Sequence, residues 1–425
     1  MIVVLLIFIV TIVIGLPIAY VLGTTGVIHA IIMNESGLFT MIPQRMYAGV
    51  NNFSLMAIPL FILAGEIMGF GGITEKLVNM MRSFVGHIKG GLAYSTVLVG
   101  TALGALLGSA NASAALMGDL LYPQLIEDGY DDGFSASLIG GTSLLGPLIP
   151  PSMIFIIYGV AANVSVAKLF FGGIVPGILM ALGFFFLIGI YAKRNNLHTH
   201  RKATAKERLV SVGKAIPALL VPIVILGGIL TGMTTATESA ATASFIALIV
   251  GTFVYKKLKW EHIPKILERT GVMSAGILMI VAMSNILGWT MALDQIPALL
   301  AGAFLSITNN KLIMLFIVNV FLLFVGMVME TTAAIIILVP VLLPVMTSVG
   351  VDPLHFGMIM SVNMIIGLLS PPVGVALYTT ANVCGVSSAT MIKRIWPWLG
   401  VAITVLFLIT YFPAICTFLP NLLIK

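Results

Sequence analysis

Long apolar runs follow one another along almost the whole chain, separated by short polar or Gly/Pro-rich breaks. Clear runs cover residues 2–22, 55–70, 92–107, 170–191, 216–231, 240–255, 276–293, 312–329 and 399–412. A helix needs about 20 apolar residues to cross a bilayer core. Two further stretches, 134–162 and 355–383, are apolar but interrupted by glycine and proline. The pattern predicts an all-α polytopic membrane protein with about ten to twelve crossings or half-crossings.

One part of the pattern occurs twice, 221 residues apart. Pro123, Gly129, Asp131, Gly146, Pro150 and Pro151 reappear, without a gap, as Pro344, Gly350, Asp352, Gly367, Pro371 and Pro372. These residue types dictate backbone geometry or polarity. Paired Gly/Pro-broken segments in matching halves of a membrane chain point to a transport site. The chain therefore reads as repeat one over 1–192, a basic linker over 193–214 and repeat two over 215–425. If each repeat crosses an odd number of times, the two lie inverted in the bilayer.

Each repeat carries a hairpin whose return arm is too short to span, over about 95–124 and 312–345. These predict re-entrant helical hairpins, tolerable in a membrane only where the turn is buried in protein or lines a wet cavity. Each repeat also carries a broken helix, over about 134–162 and 355–383. Proline removes a backbone donor and clashes with the preceding turn, so carbonyls upstream of Pro150-Pro151 and Pro371-Pro372 are expected to lose partners. A bound cation is one way to satisfy them; a plain structural kink is the other.

Composition supports the bilayer reading, with 59% hydrophobic and 8% charged residues against roughly 25% charged in soluble proteins. Residues 193–214 hold seven of the 21 Lys and Arg, and 256–269 hold five more. Basic loops mark the cytoplasmic side, which favours an inner-membrane orientation over a nucleic-acid patch. Cys384 and Cys416 form neither a framework nor a metal spacing. No Ser-His or paired-Asp arrangement at matching depth suggests an enzyme.

The candidate cation ligands are Ser109, Asn111 and Ser113 at the first hairpin turn, with Gly141, Thr142, Ser143 and Gly146 on the first broken helix. In repeat two they are Glu330, Thr331 and Thr332, with Asn363, Gly367 and Ser370. Neutral oxygens suit a small monovalent cation such as Na+ rather than zinc or a redox metal. Half-helix N-termini attract anions, so Ser109, Asn111, Pro150, Ser152, Ser370 and Pro371 are candidate contacts for a carboxylate substrate. Glu66, Asp119 and Glu238 also lie in apolar stretches and each needs a partner, a cavity or a proton. Glu238 is placed to cap the helix that follows it.

Several stretches together resemble the large membrane subunit of tripartite ATP-independent periplasmic (TRAP) transporters over nearly the full length. They are residues 53–66, Gly108-Ser109-Ala110, residues 146–152, Lys168-Leu169-Phe170, Thr237-Glu238 and residues 367–374. The resemblance implies a sodium-driven secondary transporter for organic acids, carrying two or more Na+ ions and no organic cofactor. It implies an elevator-type fold, in which a unit holding the hairpins and broken helices slides against a scaffold. It also implies two partners: a small four-helix membrane subunit and a soluble periplasmic substrate-binding protein. The chain departs from the family where Ser113 and Glu330 replace a frequent Asp, and where Ala236 replaces a frequent Pro. The closing residues 418–424 resemble sialic-acid members; C4-dicarboxylates and sugar acids are also carried within the family. A stand-alone proton- or sodium-coupled carboxylate exchanger is the alternative.

Overall fold

The computed structural model describes residues 2–33, 37–195, 197, 201–308 and 310–424, and among them every regular element is helical. The first group is α1 (Ile2–Val13), α2 (Ile18–Ile32), α3 (Gly37–Val50), α4 (Ala57–Phe70) and α5 (Ile73–Val85). The first hairpin is α6 (Gly91–Leu107) and α7 (Ala110–Glu127). The first broken helix is α8 (Asp132–Ser143), α9 (Leu145–Leu148) and α10 (Met153–Ala162), and the long α11 (Val166–Arg194) closes the first half. Next come α12 (Ala205–Leu230), α13 (Ala236–Ile249), α14 (Ile263–Leu293) and α15 (Ile296–Ile307). The second hairpin is α16 (Lys311–Val328) and α17 (Thr331–Ser348), and the second broken helix is α18 (Pro353–Gly367) and α19 (Val375–Cys384). The chain closes with α20 (Ser388–Tyr411) and α21 (Ala414–Leu423).

Among the described residues, eight helices are long and apolar enough to cross a membrane, and α8–α10 form a further pair bent by 41°. The return arms α7 and α17 are each 18 residues, longer than the sequence suggested, because Pro123, Pro340 and Pro344 sit within these helices and do not end them, and α17 is one of the eight. The run over 2–22 does not form one span. It breaks between α1 and α2, where Gly15 takes φ +84° and Pro17 precedes α2, because proline supplies no N–H to continue the ladder. The basic stretch 193–214 is partly helical. Thr204 and Glu207 form a reciprocal capping box, so α12 starts at Ala205 and carries Lys206, Arg208 and Lys214 in its opening turns. His198 and His200 lie outside the described residues.

The 221-residue shift carries α7 onto α17 and sets the start of α8 on that of α18. Asp131 and Asp352 cap α8 and α18 alike, each side chain accepting backbone N–H groups of the first turn. The Pro150–Pro151 and Pro371–Pro372 peptides are both cis.

Packing sorts the helices into two groups. In one, α14 lies along α2, α3 and α4, while α13 packs on α4 and α12 on α5. The other holds the hairpins and broken helices, and there the repeats interlock. The return arm α7 packs on α19 of repeat two, and α17 packs on α10 of repeat one. A Cβ at Gly118 would stand 2.6 Å from Val383. Tyr158 donates its hydroxyl to the Pro353 carbonyl at 2.7 Å.

Candidate functional site

The first hairpin turns because Gly108 adopts a left-handed φ of +57° and Ser109 then takes an extended N-cap conformation. Its entry arm lies against the broken helix through three glycines spaced four apart, one face of a helix. A Cβ at Gly100 would meet Thr142 Cγ2 at 2.0 Å, one at Gly104 the Leu145 carbonyl at 2.7 Å, and one at Gly108 the Pro151 carbonyl at 2.9 Å. These glycines let the arm approach closely enough for the turn to face the break. Gly100 and Gly104 were not singled out from the sequence, although their spacing was the available signal.

The turn meets the broken helix at Gly146. A Cβ there would stand 2.6 Å from Ser113 Oγ and 3.0 Å from the Ser109 carbonyl. Ser113 and Thr142 are fully buried, and Ser113 Oγ, Thr142 Oγ1 and Asn111 Oδ1 have no hydrogen-bond partner among the described residues. A buried polar oxygen left unpaired costs about 1–3 kcal/mol. Thr142 lies near the end of α8, four residues before Gly146 of α9. Ser113 Oγ is thus an orphaned neutral oxygen facing the Gly146 step, Asn111 Oδ1 and Thr142 Oγ1 are two more on α7 and α8, and neutral oxygens of this kind fit a small monovalent cation. Among the described residues no group of three or more His, Cys, Asp or Glu could hold a metal ion.

The remaining candidates of repeat one are already occupied. Ser143 Oγ donates to the Gly140 carbonyl at 2.7 Å within its own helix. Gly141 lies under Trp398, whose atoms would be 3.0 Å from a Cβ, and its carbonyl accepts from the Leu144 N–H. Ser109 Oγ caps α7 by accepting from the Ala112 N–H at 3.5 Å. Ser152 Oγ donates to the Pro147 carbonyl at 2.5 Å and is fully buried beside buried Pro150.

Repeat two is built differently. Glu330, the counterpart of Ser109, is exposed and caps α17, its Oε2 accepting from the Ala333 N–H at 2.9 Å. Thr331 and Thr332 behind it are buried. The crossing of α16 and α18 is closest at Gly326 and Gly367, where a Cβ on Gly367 would stand 2.3 Å from the Gly326 backbone. Asn363 donates from Nδ2 to Asn319 Oδ1 at 2.7 Å, and Asn319 in turn donates to Thr410 Oγ1 at 3.0 Å. Only the Oδ1 of Asn363 is left without a partner. This buried chain ties α16, α18 and α20 together, so Asn363 serves packing as well as any ligand.

The second break also satisfies carbonyls that the sequence leaves open. Leu368 O accepts from Ala376 N–H at 2.8 Å and Ser370 O from Gly374 N–H at 3.0 Å. Ser370 Oγ donates to Ile366 O at 2.9 Å, and Pro371 is half-buried. The chain folds back across its own gap, so the prolines free fewer acceptors than a plain count suggests.

The other acids of the apolar stretches are mostly accounted for. Glu66 pairs with Arg269 at 3.4 Å. Glu238 completes a capping box with Thr235 at the start of α13. Asp119 is exposed on α7.

A family model described as "Tripartite ATP-independent periplasmic transporter, DctM component" matches residues 5–415. The chain is 36% identical over 408 residues to the sialic acid TRAP transporter large permease protein SiaM of Vibrio cholerae, covering 96% of this chain and 95% of that one. It is 35% identical over 400 residues to the C4-dicarboxylate TRAP transporter large permease protein DctM of Pseudomonas aeruginosa, covering 94% and 93%. It is 38% identical over 407 residues to the isethionate TRAP transporter permease protein DctMQ of Oleidesulfovibrio alaskensis, covering 96% of this chain and 64% of that longer one. A crystal structure of the Alcanivorax borkumensis YdaH transporter, described as having an unusual topology, aligns with TM-score 0.64 at 14% identity over 89% of this chain and 88% of that one. This last likeness concerns the fold alone.

Proposed function

The chain belongs to the DctM family of large permease subunits of tripartite ATP-independent periplasmic transporters, and on that premise we propose that it imports an organic acid coupled to Na+. It is a multi-pass protein of the bacterial inner membrane and not an enzyme. The cargo is of the sialic-acid or C4-dicarboxylate class. A periplasmic binding protein delivers it, and a small membrane subunit completes the scaffold.

The observation that carries the Na+ reading is the set of orphaned oxygens of Asn111 and Ser113 on α7 and Thr142 on α8, with Ser113 Oγ facing the Gly146 step. A sodium ion would give these oxygens the partner they lack without needing several carboxylates. Movement is of the elevator type, with the hairpin-bearing helices sliding against the group built on α14. The interlocking of α7 with α19 and α17 with α10 supports this, because it lets both hairpins move as one body. Each Na+ moving inward down 100 mV supplies about 2.3 kcal/mol, so two ions more than cover the entry of one monoanion.

Uptake in proteoliposomes containing both membrane subunits, with the binding protein added, tests the proposal. An imposed inward Na+ gradient is expected to drive accumulation. Uptake that ignores that gradient, or proceeds unchanged without the binding protein, overturns it.

A further inference from the structure

A sizeable cavity lies outside the cation site. It has a volume of about 460 Å³ and opens between the two helix groups. One wall is Arg45, Asn52, Asn285 and Trp289, from α3, the turn after it, and α14. The opposite wall includes Ile157 of α10 and Ile336 of α17. The second wall thus comes from the downstream half of one broken helix and the return arm of the other repeat's hairpin. This volume is in the usual range of small-molecule sites, which are mostly apolar with a few placed polar groups.

Arg45 is the single charged residue lining the cavity. It is half-buried and makes no ion pair among the described residues. Its guanidinium carbon sits 5.1 Å from the centroid of Trp289, over the ring face. Gly49, one turn further along α3, admits the Asn285 amide, which a Cβ would approach to 2.3 Å. The arginine is therefore held against α14 by an aromatic face and a close helix crossing, with no carboxylate paired to it among the described residues.

The cavity also has a defined depth. Trp289 stands 24 residues along α14 from Lys265, or roughly 36 Å at 1.5 Å per residue. Lys265 belongs to the basic segment 256–269. If that segment is cytoplasmic, the cavity sits towards the outer surface, on the side from which cargo arrives.

We propose that this cavity receives the transported acid on entry and that Arg45 holds its oxyanion as a specificity-determining counter-charge. The proposal rests on the organic-acid reading above. A guanidinium fork matches the paired oxygens of a carboxylate and forms the stronger, charge-assisted hydrogen bonds. The Trp289 ring beneath the guanidinium holds the fork at the cavity wall before the anion arrives.

The test uses the purified protein in detergent, with N-acetylneuraminate and succinate as ligands and succinamide as the uncharged control. Tryptophan fluorescence reports binding beside Trp289. The wild type is expected to show a saturable response to at least one acid and none to succinamide. Arg45→Gln should weaken that response roughly ten- to hundredfold, Arg45→Lys should weaken it less, and neither should move the melting temperature. The proteoliposome assay then reads KM for the acid and half-saturation for Na+ separately. Arg45→Gln is expected to raise the first and leave the second unchanged.

No saturable response in the wild type, or equal responses in wild type and Arg45→Gln, overturns the proposal. So does a defect confined to uptake with the binding protein present, which would make Arg45 a docking residue. Wild-type uptake that ignores Na+ would instead sink the coupling reading and leave Arg45-dependent binding standing.

Discussion

Ser113 Oγ lies 2.6 Å from the point at which a Cβ on Gly146 would stand. The hairpin turn of repeat one and the break of its neighbouring helix are therefore in direct contact, with room for a glycine and nothing larger. Gly146→Ala places a methyl group against the orphaned Ser113 hydroxyl. The expected result is a rise of at least about tenfold, the equivalent of 1.4 kcal/mol, in the Na+ concentration giving half-maximal uptake. Membrane insertion should be retained, and an unshifted Na+ curve would remove Gly146 from the cation site.

Ser113→Ala and Thr142→Val give opposite results under the two readings of these oxygens. If both bind Na+, each substitution raises the Na+ requirement. If neither does, each removes a buried unpaired hydroxyl and raises the melting temperature, since that group costs about 1–3 kcal/mol. Melting curves with and without Na+ separate the cases. Na+-dependent stabilisation should be present in the wild type and reduced in both variants.

Glu330 caps α17 and is exposed, so its first role is to close the helix terminus. Glu330→Ala should cost about 0.5–2 kcal/mol of stability, the range for losing a side-chain cap. Glu330→Asp should keep most of it. A wild-type Na+ stoichiometry in Glu330→Ala, read from uptake against a set membrane potential, would confine the residue to capping.

The buried chain Asn363–Asn319–Thr410 predicts non-additivity. Asn363→Leu strands Asn319 Oδ1 and should destabilise by about 1–3 kcal/mol. The double variant with Asn319→Leu should cost less than the two single losses together, because residues in one network couple. Denaturation of all three variants in one detergent measures the coupling.

At the surface, a close hydrogen bond from the Lys257 ammonium holds the Glu75 carboxyl below its usual range. A carboxyl depressed on folding adds stability above its unfolded value and loses it as pH falls through the lowered one. The side chains are 47% and 44% exposed, so solvent screening limits the gain to under about 1 kcal/mol. Glu75→Gln should therefore melt slightly below wild type at neutral pH, with the gap closing in acid. A gap that widens in acid would contradict the pairing.

Much of the fold was legible because it rests on local physics. Apolar length marks helices in lipid, and Gly and Pro set where they break; thus Pro150-Pro151 and Pro371-Pro372 announced both interruptions. Asp131, Asp352 and Glu238 could be read as caps because capping involves residues two or three apart. The run over 2–22 misled because its composition is apolar throughout, and only the Gly15 and Pro17 backbone geometry divides it.

The chemistry of the site was less legible, since whether an oxygen is free depends on what faces it. Ser113 and Ser143 look equivalent in the sequence, yet Ser143 donates within its own helix while Ser113 has no partner. By itself the sequence determined most of the spans, the echo of Gly, Pro and Asp between the halves, the breaks and the caps, all of which are governed by neighbours within a turn or two. Tertiary structure alone decided which oxygens were orphaned and that each return arm packs on the other repeat. It alone left Arg45 over the Trp289 ring, 244 residues away in sequence, with no ion pair among the described residues. Those outcomes depend on helices meeting across the fold, and nothing in the local backbone encodes which partner arrives.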